Sequence, residues 1–357
     1  MRNLRLDQLK LLAAFGIVGV HAIYHTNALK YTAVYSIEWF FLMIVYTLLF
    51  SMMNIFVIIS GYFLCDSHFR WKKVKSIILT TICYSVVIYI LFCIRDVTEF
   101  SFFDFMDCLL SPITNQYWFI SAYLLLYILS PYLNKMLSCL NEKNLRSLCL
   151  ISFVVLSIIP SFLIFVPVQN LFDAQNGKGI LWFLTIYILC FYYKKYRESY
   201  FCKINSYWFM IILIFNLMFL IGSWIVLNYI SIVIGLDGDG ATRLYFDSSI
   251  FVFGISASIF LLTQRLPVIN LKYGKFITYL SGSSLGVYII HEQPMVRKFL
   301  WGNVENIWIN NEGSIIVNFF IVTVIVFFFC IGIDCIRRCG ENLVSKYKKI
   351  YIDRIKG

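Results

Sequence analysis

The sequence predicts an all-α integral membrane protein, with about ten transmembrane helices in one bundle and cytoplasmic N and C termini. Three observations predict it. The 357 residues are 60% hydrophobic and only 14% charged, whereas soluble domains carry about a quarter charged residues. The apolar residues fall into ten runs of roughly membrane-crossing length. The 30 Lys and Arg are concentrated in alternate connections between those runs.

The runs lie near residues 9–26, 38–64, 77–94, 117–133, 147–166, 178–193, 207–230, 248–263, 276–293 and 314–334. Ten spans put both termini on one side. Basic residues on that side number three at 1–10, four at 65–76, three at 134–146, four at 194–206, three at 264–275 and seven at 335–357. The opposite side holds six: Lys30, Arg95, Lys178, Arg243, Arg297 and Lys298. Cytoplasmic connections carry the excess of Lys and Arg, so the termini are expected in the cytoplasm. The net charge of +11 has the same origin, and no nucleic-acid partner is expected. The first run lacks a small-residue cleavage site and is followed at once by another span, so it reads as a span and not as a signal peptide. The chain is expected to be a multi-pass protein of the cell membrane, one domain over 1–357, with the lipid bilayer as its solvent.

The first span holds the most informative residue, His21. An ionisable side chain inside a span is costly and usually marks function. Lys10, at the start of the same run, is eleven residues away, about 16 Å along a helix and within about 20° of the same face. Asp7 and His25 fall near that stripe. The plainer reading of His21 is a packing residue bonded to a neighbouring helix.

The connection 95–116 alternates Phe100, Phe102, Phe103, Phe105, Met106, Leu109 and Leu110 with Glu99, Asp104 and Asp107. That pattern suits an amphipathic helix in the membrane interface, as an anchor or as a lid. Asp237-Gly-Asp239-Gly240 lacks the later ligands of a calcium loop and reads as a turn. Of the eleven cysteines only Cys108 falls in an outer connection. No CxxC occurs, so neither disulfides nor a metal site is expected.

Five motifs occur in order. The first span reads Arg5-Leu-Asp7-Gln-Leu9-Lys10 and then Val20-His21. The second ends Ser60-Gly61-Tyr62. The fourth opens Tyr117-Trp118-Phe119-Ile-Ser121-Ala-Tyr123 and runs on through Tyr127 to Pro131. The sixth reads Gly179-Ile-Leu-Trp182-Phe183 and then Tyr187. The ninth reads Ser281-Gly-Ser283-Ser284-Leu-Gly286-Val-Tyr288-Ile-Ile-His291. In this order the chain resembles, over residues 5–291, the integral-membrane acyltransferase-3 family, whose members include bacterial O-acetyltransferases of cell-surface polysaccharides. That family has a basic residue, usually Arg, ten intervening residues before the first-span His; here the pair is Lys10 and His21. Its Arg-x-x-Arg motif after the second span corresponds to Lys72 and Lys75. Both departures keep charge and lose the planar fork. The position before Trp118, often His in relatives, is Tyr117.

The resemblance implies an enzyme that uses acyl-CoA, in particular acetyl-CoA, as a cytoplasmic co-substrate, with no bound cofactor. The implied acceptor is a surface or capsular polysaccharide or its lipid-linked precursor. Lys10 and the cluster Arg70, Lys72, Lys73 and Lys75 are the implied donor-binding cations, though positive-inside topology also accounts for the cluster. His21 would deprotonate a sugar hydroxyl or carry the acyl group; the residues leave both open. Ser281, Ser284, Tyr288 and His291 share a helix face, as interhelical bonds or, for Tyr288 and His291, as the acceptor entrance. Trp118 and Tyr123 are candidates to stack on a sugar, and Ser51 and Asn54 are weaker candidates. A transporter or flippase of lipid-linked sugars is the competing reading, although no internal repeat is evident. A non-catalytic assembly partner is a third.

Overall fold

The computed structural model describes residues 3–163, 175–234, 244–267, 271–310 and 313–356. Asp237–Gly240 and Arg243 lie outside the described residues. No strand occurs among the described residues, and helices follow one another with short connections.

The helices start where the sequence offers side-chain acceptors. α1 (Leu4–His25) is capped by Asn3, whose side chain accepts from the Leu6 amide, and Asp7 sits in its first turn, where a carboxylate suits the positive end of the helix dipole. Ser36 caps α2 (Ile37–Phe50). The amphipathic helix expected in 95–116 is α5 (Phe102–Leu109), capped by Ser101. α7 (Glu142–Phe153) is capped by Asn141; after a π-helical turn at Val154–Ile158 it continues as α8 (Ile159–Phe162).

Each of the ten apolar runs contains helix, but two are divided. The second is α2 and α3 (Met52–Leu64), separated at Ser51. Ser256 there donates to the Ser51 carbonyl at 2.8 Å, and Ser51 Oγ donates to Leu48 O at 2.7 Å. The ninth, expected as one span, is α13 (Leu271–Ser281) and α14 (Ser284–Glu292). At the gap the Arg338 guanidinium donates to Tyr279 O at 2.6 Å and to Ser283 Oγ at 3.0 Å. It occupies the space a side chain at Gly282 would need. Backbone groups freed inside a bundle must find partners, and this arginine supplies one. Between the ninth and tenth runs α15 (Pro294–Ile309) starts on Pro294. Gln293 Oε1 accepts from the Met295 and Val296 amides there.

Among the described residues six segments are long and apolar enough to cross a membrane: α1, α2–α3, α4 (Trp71–Ile94), α7–α8, α11 (from Ser206 to Ser231) and α16 (from Ile315 to Val344, helical to Lys356). The other runs form α6 (Trp118–Ser138), α9 (Ile180–Tyr192), α12 (Ile250–Thr263) and the α13–α14 pair. α9 turns π-helical at Tyr193–Arg197 and ends in α10 (Glu198–Lys203). Pro131 falls inside α6 and cannot donate to Tyr127 O four residues earlier; Ser130 Oγ donates to that carbonyl instead, at 2.8 Å.

The core lies around α1, which touches α2, α3, α12, α13, α14, α15 and α16. In the most apolar window of α11 only 22% of residues are buried, against 50% in α1 and 61% in α2–α3. An apolar helix with so much outward surface suits lipid, and α1 suits protein. Behind α14, Asp334 of α16 is fully buried and accepts from Tyr84 Oη at 2.8 Å and from Arg337 at 2.8 and 3.0 Å. Its carboxylate presses against the α carbon of Gly286, where no Cβ would fit. This buried network ties α4, α14 and α16 together.

Candidate active site

The divided helices surround one cavity of about 780 Å³. α1 gives it Lys10, His21 and His25, α4 gives Lys73, α6 gives Trp118 and Tyr123, and α14 gives Tyr288, His291 and Glu292. Residues from both ends of the bundle line it. Lys10, Lys73 and Gly282 are at the end that carries Arg338; Asn176, Lys178 and Arg297 are at the other. The cavity follows α1 from Lys10 to His25, fifteen residues or about 22 Å.

Toward the end that carries Arg297, five ionisable groups meet. His21 Nδ1 is 2.9 Å from His291 Nε2 and 3.0 Å from Glu292 Oε1. His25 Nε2 is 3.0 Å from the same carboxylate oxygen. Arg297 lies 3.7 Å from Glu292 Oε2. The proton positions follow from one backbone group. Val287 O, 2.5 Å from His291 Nδ1, can only accept, so that nitrogen carries hydrogen. In a neutral, fully buried His291, Nε2 is then an acceptor. His21 Nδ1 therefore donates, shared between His291 Nε2 and Glu292. In its neutral form His21 then has a lone pair on Nε2, for which no hydrogen-bond partner occurs among the described residues. His25 donates to Glu292 and its ring stacks on Trp301.

At the Arg338 end, Lys73 Nζ donates to Tyr123 Oη at 3.0 Å and sits 4.5 Å from the centre of the Tyr127 ring. Tyr123 is parallel to Phe119 within 1°. Near the other end Lys178 lies 5.9 Å from the centre of the Trp118 ring. Asp247, in the turn before α12, is buried on the cavity wall. Burial pushes its carboxyl up to about 7, against the pull of Lys178 and then His21.

Of the residues expected from the sequence, Lys10, His21, Lys73, Trp118, Tyr123, Tyr288 and His291 line this cavity. Arg70, Lys72 and Lys75 do not; their side chains are exposed outside it. Helical phase separates them. Ile77, four residues beyond Lys73, shares its face, whereas Lys72 and Lys75 are rotated about 100° and 160° away. His291, expected at an acceptor entrance, stands against His21. His25, near the same stripe, is bonded to Glu292. The hydroxyl stripe of the ninth run is split by the gap in the helix: Ser281 and Thr278 donate to Asp7 at 3.2 and 2.9 Å, while Ser284, Tyr288 and His291 face the cavity. Asn54 bridges Trp182 Nε1 and Asp247 O, and Ser51 serves the break between α2 and α3.

Glu292 and Asp247 are the site residues that sequence reasoning missed. The available signal for Glu292 was an acid beside a histidine at the end of an apolar run. The ligand atoms of His21, His291 and Glu292 all lie within 4.8 Å of one another, the only such group among the described residues.

The sequence profile of the acyltransferase-3 family, described as an acyltransferase domain, matches residues 3–335. Comparison with curated proteins and with solved structures gives no match.

Proposed function

The chain belongs to the acyltransferase-3 family, and from that premise we propose that it is a membrane O-acetyltransferase. It moves an acetyl group from cytoplasmic acetyl-CoA to a hydroxyl of a cell-surface or capsular polysaccharide, or of its lipid-linked precursor. The observation that carries this reading is a single cavity reaching from Lys10 and Lys73, past His21, to Lys178 and Arg297. Donor and acceptor on opposite sides of a membrane need such a passage, with the reacting group part-way along it.

Under this reading the cytoplasmic end is the one that carries 24 of the 30 basic residues. Lys10 and Lys73 meet the CoA phosphates as point charges. The pantetheine arm, flexible and largely apolar, lies along α1 and presents the thioester near His21. The acceptor hydroxyl enters from the Trp118 end. His21 Nε2 takes its proton as the oxygen bonds to the thioester carbonyl carbon. The carbon–sulfur bond breaks, and the departing CoA sulfur receives the proton back from His21. Glu292 stabilises the imidazolium formed between these steps, and His291 keeps Nδ1 protonated, as a carboxylate partner does in hydrolase triads.

The test is twofold. Purified protein in lipid should transfer labelled acetyl from acetyl-CoA to glycan from the source organism. Mass spectrometry of surface glycans should show the acetyl ester lost when the gene is removed. Unchanged glycans together with no transfer in vitro would sink the proposal. Movement of a lipid-linked sugar without acetylation would replace it with the transporter reading.

A further inference from the structure

The hydrogen-bonded group in the cavity has the donor set of a metal site. We infer that His21 Nδ1, His291 Nε2 and Glu292 Oε1 bind one Zn²⁺, and that zinc and catalysis exclude each other. Two imidazoles and one carboxylate, with a fourth position left for water, form a common zinc ligand set. Ligating histidines usually donate their second nitrogen to a carbonyl or carboxylate, which fixes the ring. His291 does this through Nδ1 to Val287 O at 2.5 Å. The carboxylate is oriented in turn by His25, 3.0 Å away.

The distances set what must move. His21 Nδ1 is 2.9 Å from His291 Nε2 and 3.0 Å from Glu292 Oε1. Ligands about 2.0–2.1 Å from a tetrahedral zinc stand about 3.3–3.4 Å apart. The His21 ring must withdraw by roughly 0.4 Å from both partners to reach that spacing, and it is the least buried of the three. Arg297, 3.7 Å from Glu292 Oε2, opposes binding and limits the affinity.

The exclusion comes from one proton. Zinc at Nδ1 displaces the hydrogen that His21 gives to His291 and Glu292. The neutral ring then carries its proton on Nε2, so the lone pair that would accept the hydroxyl proton is gone. This half of the inference rests on His21 acting as the base; zinc binding itself does not.

Purified full-length protein, stripped of metal, is titrated with Zn²⁺ by calorimetry and with Co²⁺ by visible absorption. One ion per chain is expected, with the intense absorption of a tetrahedral cobalt site. Glu292→Gln and His291→Gln should abolish it, His25→Ala should weaken it by about 10–100-fold as expected for an orienting partner, and His68→Ala should leave it unchanged. The absence of stoichiometric binding, or binding untouched in both glutamine variants, overturns the site. Acetyl transfer should fall as zinc rises, with its midpoint at the measured Kd; transfer undiminished at saturation overturns the exclusion. If metal-free protein is inactive and added zinc restores transfer, the exclusion is overturned; if neither form transfers and surface glycans are unchanged without the gene, the acyltransferase reading fails and the zinc site is judged by the binding data alone.

Discussion

His21 Nδ1 stands 2.9 Å from His291 Nε2, a contact that joins the first helix to one more than 260 residues later. The bond sets which nitrogen of His21 is free, and the chemistry proposed for the chain depends on that nitrogen.

His21→Ala should lose glycan acetylation by at least about 100-fold, the lower range for a general acid–base group, with insertion and expression intact. The readout is acetyl released by mild base from purified polymer. Acetylation near the normal level would remove His21 from the mechanism.

Glu292→Gln keeps the shape and removes the charge. Loss of charge-assisted bonds to His21 and His25 should cost about 1.5–3 kcal/mol, roughly ten- to a hundredfold in rate. The fall should appear in kcat, since Glu292 is proposed to act on the charge that develops on His21 and not on ground-state binding. A change confined to KM would make it a binding residue instead.

Lys73→Ala should raise the apparent KM for acetyl-CoA by roughly tenfold, the value of one charged hydrogen bond. The double variant Lys72→Ala, Lys75→Ala should leave it nearly unchanged, because those side chains lie outside the cavity. Lys10→Ala should impair transfer and Lys10→Arg should be tolerated. Equal effects of Lys73 and the pair would return the donor site to the whole basic cluster.

Cysteine labelling at Lys30 should succeed from outside intact cells, and labelling near Lys143 only after permeabilisation, if the excess of basic residues marks the cytoplasm. The reverse pattern would invert the topology and with it the assignment of donor and acceptor ends.

Gly286→Ala should lower the melting temperature in detergent. Its methyl group would collide with Asp334, and overpacking costs about 1–3 kcal/mol. Asp334→Ala should lower it too, because Tyr84 and Arg337 lose their buried acceptor while Arg337 keeps Glu341 at 2.6 Å, so the loss should fall below the about 3–5 kcal/mol of a fully stranded buried charge. A melting temperature unchanged in both variants would mean that α14 is held by other contacts.

The helices were legible because lipid forces every backbone group to bond within its own segment, so long apolar runs admit few other structures. The Lys10–His21 stripe was legible for a related reason: both residues lie on one helix, and spacing alone sets their relative direction. The partners of His21 were not. His291 and Glu292 lie on another helix, whose rotation is fixed by Arg338 and Asp334 from a third. Nor could sequence choose Lys73 over Lys72 and Lys75, because helical phase tells which lysines share a face and not which face meets the cavity. The gap at Gly282 was hidden by continuous apolarity on either side.

Arg338 has one more consequence. The family profile matches as far as residue 335, yet Arg337, which binds Asp334, and Arg338, which fills the gap beside α14, lie beyond it. The stretch recognisable by homology and the stretch that must fold together therefore end at different places. Shortening the chain to its recognisable part would keep every lining residue of the cavity and remove the guanidinium that bridges the end of α13 and Ser283.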